Sequence, residues 1–318
     1  MRIALSTNWN ASRHETGEAM VDEILTLGFD LLELGYNTTE ELATGVRRKI
    51  EAGEISVGSV HAFCPVPIGA PHGYPEIHLL ASLDDDERAM ATILLGKTLT
   101  FAESMGAKAV VLHAGRILLK SWFRAVHTGT LVGTLEEEGG IGPNTRQLLD
   151  KIARLRASRI NKVFDSFCLS LNVLLPRFEK AGITLSLENL PAFEGFPDER
   201  DMMLLMQRFN TPFLGYWHDM GHGQVRENLG LIRHLDVARQ LLPFTRGIHI
   251  HDALPILRDH LPPGQGVIDF EAFAFYNDER ILRVFEPSPR VDSQALTQSL
   301  AMVHRAWGKP AENSPQNT

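Results

Sequence analysis

The chain has 318 residues, of which 44% are hydrophobic and 22% are charged, and its formal net charge is −8. This acidic balance argues against a general affinity for nucleic acid or anionic membranes, and no run of about 18 apolar residues exists to span a bilayer. Two cysteines make no disulfide framework and no signal-peptide core is visible, so a cytoplasmic location is expected. We expect one domain over residues 1–308 and a polar tail over residues 309–318.

Short apolar runs alternate with amphipathic stretches from one end of the chain to the other. Runs of this length predict strands, and the amphipathic stretches predict helices. The predicted strands cover residues 2–6, 29–34, 55–60, 108–112, 183–187, 213–217, 246–251 and 281–285. The predicted helices cover residues 16–27, 38–52, 82–105, 145–180 and 292–307.

Eight strands that alternate with helices predict a parallel sheet, and eight such units favour a closed (β/α)8 TIM barrel of the α/β class. No Gly-x-Gly-x-x-Gly follows the first strand, which removes the main reason to prefer a dinucleotide-binding fold. The chain is longer than the roughly 250 residues typical of this barrel. The excess is placed in long loops after strands 3 and 4, over residues 62–81 and 114–144.

Ionisable residues follow directly after six successive strands, from the third to the eighth. In a TIM barrel the carboxyl ends of the strands surround one site, so these side chains should converge. A lone histidine there is more often a satisfied polar group, but a group of seven needs an ion or ligand to offset its desolvation. The seven residues are His61, His113, Glu188, Asp219, His222, His249 and Glu286.

Side-chain alternation along a strand sorts the neighbours of these residues. Asp219 shares a face with Trp217, so His218 should point away from the barrel interior and serve packing. His249 shares a face with His251, so both should face the barrel mouth. We expect His249 to bind a metal and His251 to contact substrate or to be packed.

The residues at the strand ends resemble the xylose isomerase-like TIM barrels, a superfamily of sugar and sugar-phosphate isomerases and epimerases that also includes endonuclease IV. The resemblance spans nearly the whole chain. It lies in Ser59-Val-His61, Val111-Leu-His113-Ala-Gly115, Ser186-Leu-Glu-Asn189, Trp217-His-Asp-Met-Gly-His222, His249-Ile-His-Asp252, His260-Leu-Pro-Pro-Gly-Gln-Gly266 and Phe285-Glu286.

The resemblance to the epimerases implies one divalent metal ion (Mn, Mg, Fe, Co or Zn) held by four residues. Glu188 and Glu286 would also transfer protons as the catalytic residues, and His222 would contact substrate. His61, His113, His251 and Arg258 are further candidates for substrate binding. The implied metal ligands are Glu188, Asp219, His249 and Glu286.

The resemblance to endonuclease IV implies up to three zinc ions and four additional ligands. This sequence departs from that pattern because Arg258 stands where the nuclease has an aspartate, and the adjacent Asp259 is expected to point elsewhere. The additional ligands would be His61, His113, His222 and His260.

Three functions follow as hypotheses. The first is a sugar or sugar-phosphate isomerase or epimerase that moves a proton through an enediolate. The second is a zinc phosphodiesterase acting on abasic DNA, which the net charge disfavours. The third is a module that binds metal or sugar without turnover. A small carbohydrate is the expected partner, and the sequence leaves a homo-oligomer open.

Overall fold

A computed structural model describes residues 1–118 and 127–308. Eight parallel strands close into a barrel in chain order, and the register Ala4 to Val284 joins the last strand to the first. The fold is therefore the predicted (β/α)8 barrel. The strands are β1 Ala4–Ser6, β2 Leu31–Leu34, β3 Ser56–His61, β4 Ala109–Leu112, β5 Thr184–Glu188, β6 Leu214–Asp219, β7 Thr245–Ile250 and β8 Leu282–Phe285.

Ten α-helices surround this barrel in the described ranges. Asp84 caps the helix that follows β3, Asp85–Ser104, by accepting hydrogen bonds from the first-turn amides of Asp86 and Glu87. None of these helices is long and apolar enough to cross a membrane. They are α1 Gly17–Thr26, α2 Glu40–Glu51, α3 Asp85–Ser104, α4 Thr128–Glu138, α5 Pro143–Ala157, α6 Ile160–Ala181, α7 Glu199–Phe209, α8 Met220–Asn228, α9 His234–Leu241 and α10 Ser293–Trp307.

The side chains of each strand alternate between the barrel interior and the helix layer. A small interior cluster is formed around Trp217, and it is separate from the much larger core between strands and helices. Because the interior positions repeat every second residue, the next inward position along several strands lies at the barrel mouth. The members of the interior cluster are Ala4, Leu31, Ala109, Val111, Trp217 and Val284.

Three parts of the chain differ from the sequence predictions. The predicted loop 114–144 contains α4 and a two-residue strand, Gly115–Arg116, which pairs with Gly195–Phe196. The single helix predicted over 145–180 is two helices, because α5 ends at Ala157 and α6 begins at Ile160. Between β7 and β8, where the sequence predicted neither a helix nor a strand, the chain forms a hairpin and a 3-10 helix, Phe270–Tyr276.

The loop 62–81 is long and without helix or strand, as predicted. Residues 119–126 of the second predicted loop lie outside the described residues. The predicted tail, residues 309–318, lies outside them as well.

Gly247 on β7 makes room for the Trp217 ring inside the barrel. A Cβ at Gly247 would lie 2.1 Å from the nearest ring atom of Trp217, which is fully buried. We predict that Gly247→Ala lowers the free energy of unfolding by about 1–3 kcal/mol through overpacking. Urea denaturation followed by far-UV circular dichroism measures this change.

Gly133 in α4 is the matched control, because a Cβ there meets nothing within 4 Å. Gly133→Ala should raise the stability by about 0.5–1 kcal/mol through the helix propensity of alanine. A Gly247→Ala protein as stable as the wild type would show that the barrel interior is not packed around Trp217.

Candidate active site

Four side chains from four strand ends meet at one buried point in the barrel mouth. The Nδ1 atom of His249 lies 3.0 Å from Glu286 Oε2, 3.2 Å from Glu188 Oε1 and 3.6 Å from Asp219 Oδ2. All four residues are buried, and one donor atom from each lies within 4.8 Å of the others. The structure thus brings together the four residues that the resemblance to the epimerases implied as metal ligands.

Glu33, at the end of β2, fixes the orientation of the His249 ring. Its Oε1 atom lies 3.0 Å from His249 Nε2, and its Oε2 atom accepts a hydrogen bond of 2.8 Å from Ser59. The carboxylate therefore holds the imidazole so that Nδ1 faces the three acidic ligands. A carboxylate behind a histidine is the usual partner of a metal-binding imidazole in proteins.

Asn189, directly after β5, holds the backbone that carries Asp219. Its side chain donates to the Asp219 carbonyl at 2.9 Å and accepts from the Asp219 amide at 2.8 Å. The Asp219 carboxylate caps α8 by accepting from the His222 amide at 2.6 Å, and it lies 2.8 Å from His251 Nε2. Residues Met220 to Gly223, directly after β6, therefore form the first turn of α8.

His61 and His113 both face the same carboxylate oxygen. Their Nε2 atoms lie 3.0 and 3.1 Å from Glu188 Oε2. The other ring nitrogen of His113, Nδ1, lies 3.5 Å from a carboxylate oxygen of Glu76. Glu76 belongs to the loop 62–81, and Arg116 binds its carboxylate through two nitrogens. This long loop thus forms part of the site wall.

The loop after β7 places His260 against His251, with ring centroids 4.1 Å apart. The His260 amide donates to His251 Nδ1 at 2.9 Å, and its backbone has a left-handed φ of 52°. Such a conformation is rare for a residue with a side chain, and it persists only where the surroundings hold it. Here the Glu286 carbonyl, 2.9 Å from His260 Nδ1, and the stacked ring provide that support.

Arg258 and Asp259 are arranged differently from the expectation. Arg258 is exposed on the hairpin strand Arg258–Leu261 and contacts none of the clustered residues. Asp259 instead lies on the site side, with Oδ2 3.9 Å from His222 Nε2. The expectation that Asp259 points elsewhere was wrong, because a strand reverses its side chains at each residue and the hairpin presents Asp259 to the mouth.

His218 packs on the outer face of β6, as the alternation predicted. Its Nε2 lies 2.9 Å from His234 Nε2, and its Nδ1 lies 3.1 Å from the Tyr216 hydroxyl, which donates its proton to Asn189 Oδ1 at 3.0 Å. Burial lowers the pKa of His234 to about 4, and burial also lowers the pKa of His218 well below its usual range. Two neutral imidazoles therefore share one hydrogen bond, away from the mouth.

Opposite charges balance inside the cluster. Burial would raise the pKa of the Glu188 carboxyl, but His113 and His249 hold it well below its usual range. Burial would likewise raise the pKa of Glu286, but His249 outweighs that effect and lowers the pKa to about 2. The pKa of His249 itself is raised, because Glu286, Glu33 and Glu188 outweigh the effect of burial. The acids are thus ionised at neutral pH and need positive charge beside them.

The donor set fits a divalent metal ion. Three carboxylates and one imidazole are ligands that Mn²⁺, Mg²⁺ and Zn²⁺ accept, and donor atoms about 3 Å apart suit neighbouring ligands at roughly 2.1 Å from one ion. The separations of 3.0 and 3.2 Å around His249 Nδ1 match this spacing. Buried like charges without an ion would repel one another, so the geometry favours a cation at their centre.

A cavity of about 240 Å³ leads into the cluster from solvent. Asn8 forms part of its wall and donates to Glu286 Oε1 at 3.0 Å, which fixes that carboxylate. Tyr36 lies edge-on against His61, with ring centroids 5.2 Å apart. Amide, phenol, imidazole and carboxylate groups together line the opening, among them Asn8, Tyr36, Asn37, Asp259, His260 and Glu286.

Sequence reasoning gave Asn8 and Glu76 no role in the site. Both lie outside the strand runs, and only the folded chain shows that they reach the mouth. For Glu33 a signal exists, because it lies two residues after Leu31 on β2 and therefore shares the inward face of that strand.

Comparison with known proteins identifies the family. The chain belongs to the xylose isomerase-like TIM barrel family, whose model matches residues 21–275. No curated protein matches the sequence.

Solved structures with low sequence identity share the fold. The apo form of a 3-keto-D-glucoside 4-epimerase, YcjR, from E. coli has a TM-score of 0.68 and 15% identity, and the match covers 96% of this chain and 99% of that one. A D-tagatose 3-epimerase-like protein has a TM-score of 0.66, 17% identity and the same coverage. The TTHB071 protein from Thermus thermophilus, soaked with ZnCl2, has a TM-score of 0.58 and 19% identity, with 98% and 99% covered.

The contact between Glu33 and His249 generates a prediction about metal affinity. Replacing Glu33 with Gln removes the charge behind His249 and leaves the ring less firmly oriented. We predict that Glu33→Gln weakens Mn²⁺ binding by about 10- to 100-fold. Isothermal titration calorimetry of the metal-stripped protein measures the affinity.

The exposed Glu51 at the end of α2 is the matched control, and Glu51→Gln should bind Mn²⁺ like the wild type. Equal affinities for the Glu33→Gln and wild-type proteins would contradict the role given to Glu33.

Proposed function

We propose that this protein is a sugar isomerase or epimerase that depends on a divalent metal ion and transfers a proton between carbons through an enediolate. The convergence of Glu188, Asp219, His249 and Glu286 on one point carries the proposal. The neighbours that are named epimerases support it, because they share this fold over almost their whole length.

Glu188, Asp219, His249 and Glu286 would hold the metal ion. When bound, the ion supplies a Lewis acid that polarises the sugar carbonyl and stabilises negative charge on two neighbouring oxygens. The residues that surround these four then determine how a substrate is held and where protons move.

Glu188 and Glu286 approach from well-separated strands, since β5 and β8 have β6 and β7 between them. One carboxylate accepts the proton from the carbon beside the carbonyl, and the carbon–hydrogen electrons form the enediolate. The other carboxylate takes up a proton from solvent and delivers it to carbon, which returns that side chain to its ionised form. Return to the opposite face of the same carbon gives an epimer, and return to the neighbouring carbon gives an isomer. The site suits both outcomes, because they differ only in which carbon is protonated.

Hydrogen-bonding groups around the cavity suit a polyhydroxylated substrate. His222 donates through Nδ1 to the Asn189 carbonyl at 2.9 Å, which leaves Nε2 facing the mouth toward Asp259. Asn8 and Asn37 supply amide groups on the opposite wall. We assign substrate contacts to His222, and we retain His61, His113, His251 and the exposed Arg258 as candidates for them.

A zinc phosphodiesterase acting on abasic DNA is the second candidate. Two further groups of donors support it, because His61 and His113 meet Glu188, and His222 meets His251 and His260. The net charge of −8 counts against it, since binding the DNA backbone relies on phosphate neutralisation. Incubation with a duplex that contains an abasic site provides the direct assay, and strand cleavage by the metal-loaded protein would favour this candidate.

Both glutamates are predicted to be essential for proton exchange. Replacing Glu188 or Glu286 with Gln keeps the shape but removes the carboxylate that accepts or returns the proton. We expect each variant to lose at least about 100-fold of the exchange rate. Nuclear magnetic resonance of a panel of ketoses and aldoses in D2O, with added Mn²⁺, measures deuterium incorporation at carbon.

The exposed Glu137 in α4 serves as the control position, and Glu137→Gln should exchange at the wild-type rate. Thermal unfolding confirms that each variant is folded. Undiminished exchange in either the Glu188 or the Glu286 variant would refute the assignment of these two residues.

A further inference from the structure

The helices α3 and α6 each expose two large apolar side chains to solvent among their polar ones. Met90 and Ile93 on α3 are 45% and 54% exposed, and Leu169 and Val173 on α6 are each 58% exposed. A helix that packs on a barrel normally turns charged residues outward. Four exposed aliphatic side chains on two neighbouring helices form a patch of the kind that marks an interface.

The two helices lie side by side. Arg177 of α6 reaches across to the Gly96 carbonyl of α3 at 3.5 Å, and Ser166 reaches the Ser82 carbonyl at 2.6 Å. Both helices lead into neighbouring parallel strands, β4 and β5, and therefore run in the same direction. The four exposed residues thus lie on two adjacent helices, and their outer surface is called the α3–α6 patch.

The exposed residues of α3 follow the spacing of a helix–helix seam. Asp86, Met90, Ile93 and Lys97 are separated by four, three and four residues, and all four are exposed. This 4-3-4 spacing places them in one stripe along the helix. The stripe has an acidic end, an apolar middle and a basic end.

The stripe is self-complementary in charge and in apolar positions under a rotation of 180°. The midpoint between Asp86 and Lys97 coincides with the midpoint between Met90 and Ile93. A two-fold axis through that point would set Met90 against the partner's Ile93 and Asp86 against the partner's Lys97. Each contact would occur twice, as a symmetric dimer interface requires.

The size of the surface suits a stable dimer. The 20 residues of α3 span about 30 Å, and two helices side by side are roughly 20 Å wide. The loop after β3 adds Ile68, which is fully exposed and borders the same cavity as Leu94 and Lys97. This area approaches the roughly 800 Å² that each partner contributes to a typical interface.

We infer that a second copy of this chain covers the α3–α6 patch, with the two copies related by a two-fold axis near Ile93. The partner helices run antiparallel across the interface. The apolar residues meet in its centre, and opposite charges meet at both ends. This dimer is independent of the proposed reaction, since none of these residues belongs to the candidate active site.

Sedimentation equilibrium of the full chain tests the dimer. The wild type should have the mass of two 35.4 kDa chains, and Ile93→Glu and Leu169→Glu should each fall to the mass of one. Val267→Glu is the control, because Val267 is 50% exposed between β7 and β8, which lie across the barrel from the strands that α3 and α6 lead into, and this variant should remain dimeric. Circular dichroism shows that each protein is folded.

A charge exchange tests the orientation. Asp86→Lys and Lys97→Asp should each weaken dimerisation by about 10-fold, because each sets like charges against each other. The double variant should recover most of the wild-type affinity, since both pairs are restored with reversed sign. A monomeric wild type, a dimer that persists in both patch variants, or a double variant no tighter than the single ones would overturn the inference.

Discussion

Three ionised carboxylates buried around one imidazole are the constraint on which the barrel mouth depends. Glu188, Asp219 and Glu286 all lie within 3.6 Å of His249 Nδ1, and all of them are buried. Repulsion among them would be severe in a medium of low polarity. The imidazoles that ring the cluster offset part of this charge, and the four donor atoms leave a position that suits a cation.

Neutral and ionic contacts then fix the orientation of each ligand. Glu33 holds His249, Asn8 holds Glu286, and Asn189 holds the backbone of Asp219. Side chains fixed in this way lose little entropy when an ion or a substrate binds. The packing histidines stay apart from the site, because His218 and His234 form a hydrogen bond with each other behind β6.

Much of this arrangement follows from the sequence alone. The parity of side chains along a strand placed His249 and Asp219 inward and His218 outward, and the count of eight β/α units gave the closed barrel. Residues brought in by loops could not be placed that way. Glu76 and Asp259 reach the site only through the path of a long loop and of a hairpin, which no local periodicity specifies.

The helix break after Ala157 was missed for a related reason. The apolar pattern continues across it, while the end of α5 is marked by a tighter hydrogen bond from the Arg159 amide to the Arg156 carbonyl, three residues back. Pattern reasoning is thus reliable where a residue's surroundings are decided by its own strand or helix. It is weaker where distant segments decide them.

The metal content of the purified protein tests the central claim most directly. Elemental analysis should find about one Mn, Fe, Co or Zn ion per chain, unchanged in His61→Ala and lost in Asp219→Asn, because Asp219 belongs to the four-residue cluster. Two or three zinc ions per chain, with a loss on His61→Ala, would contradict a single-metal sugar enzyme. That result would favour the phosphodiesterase.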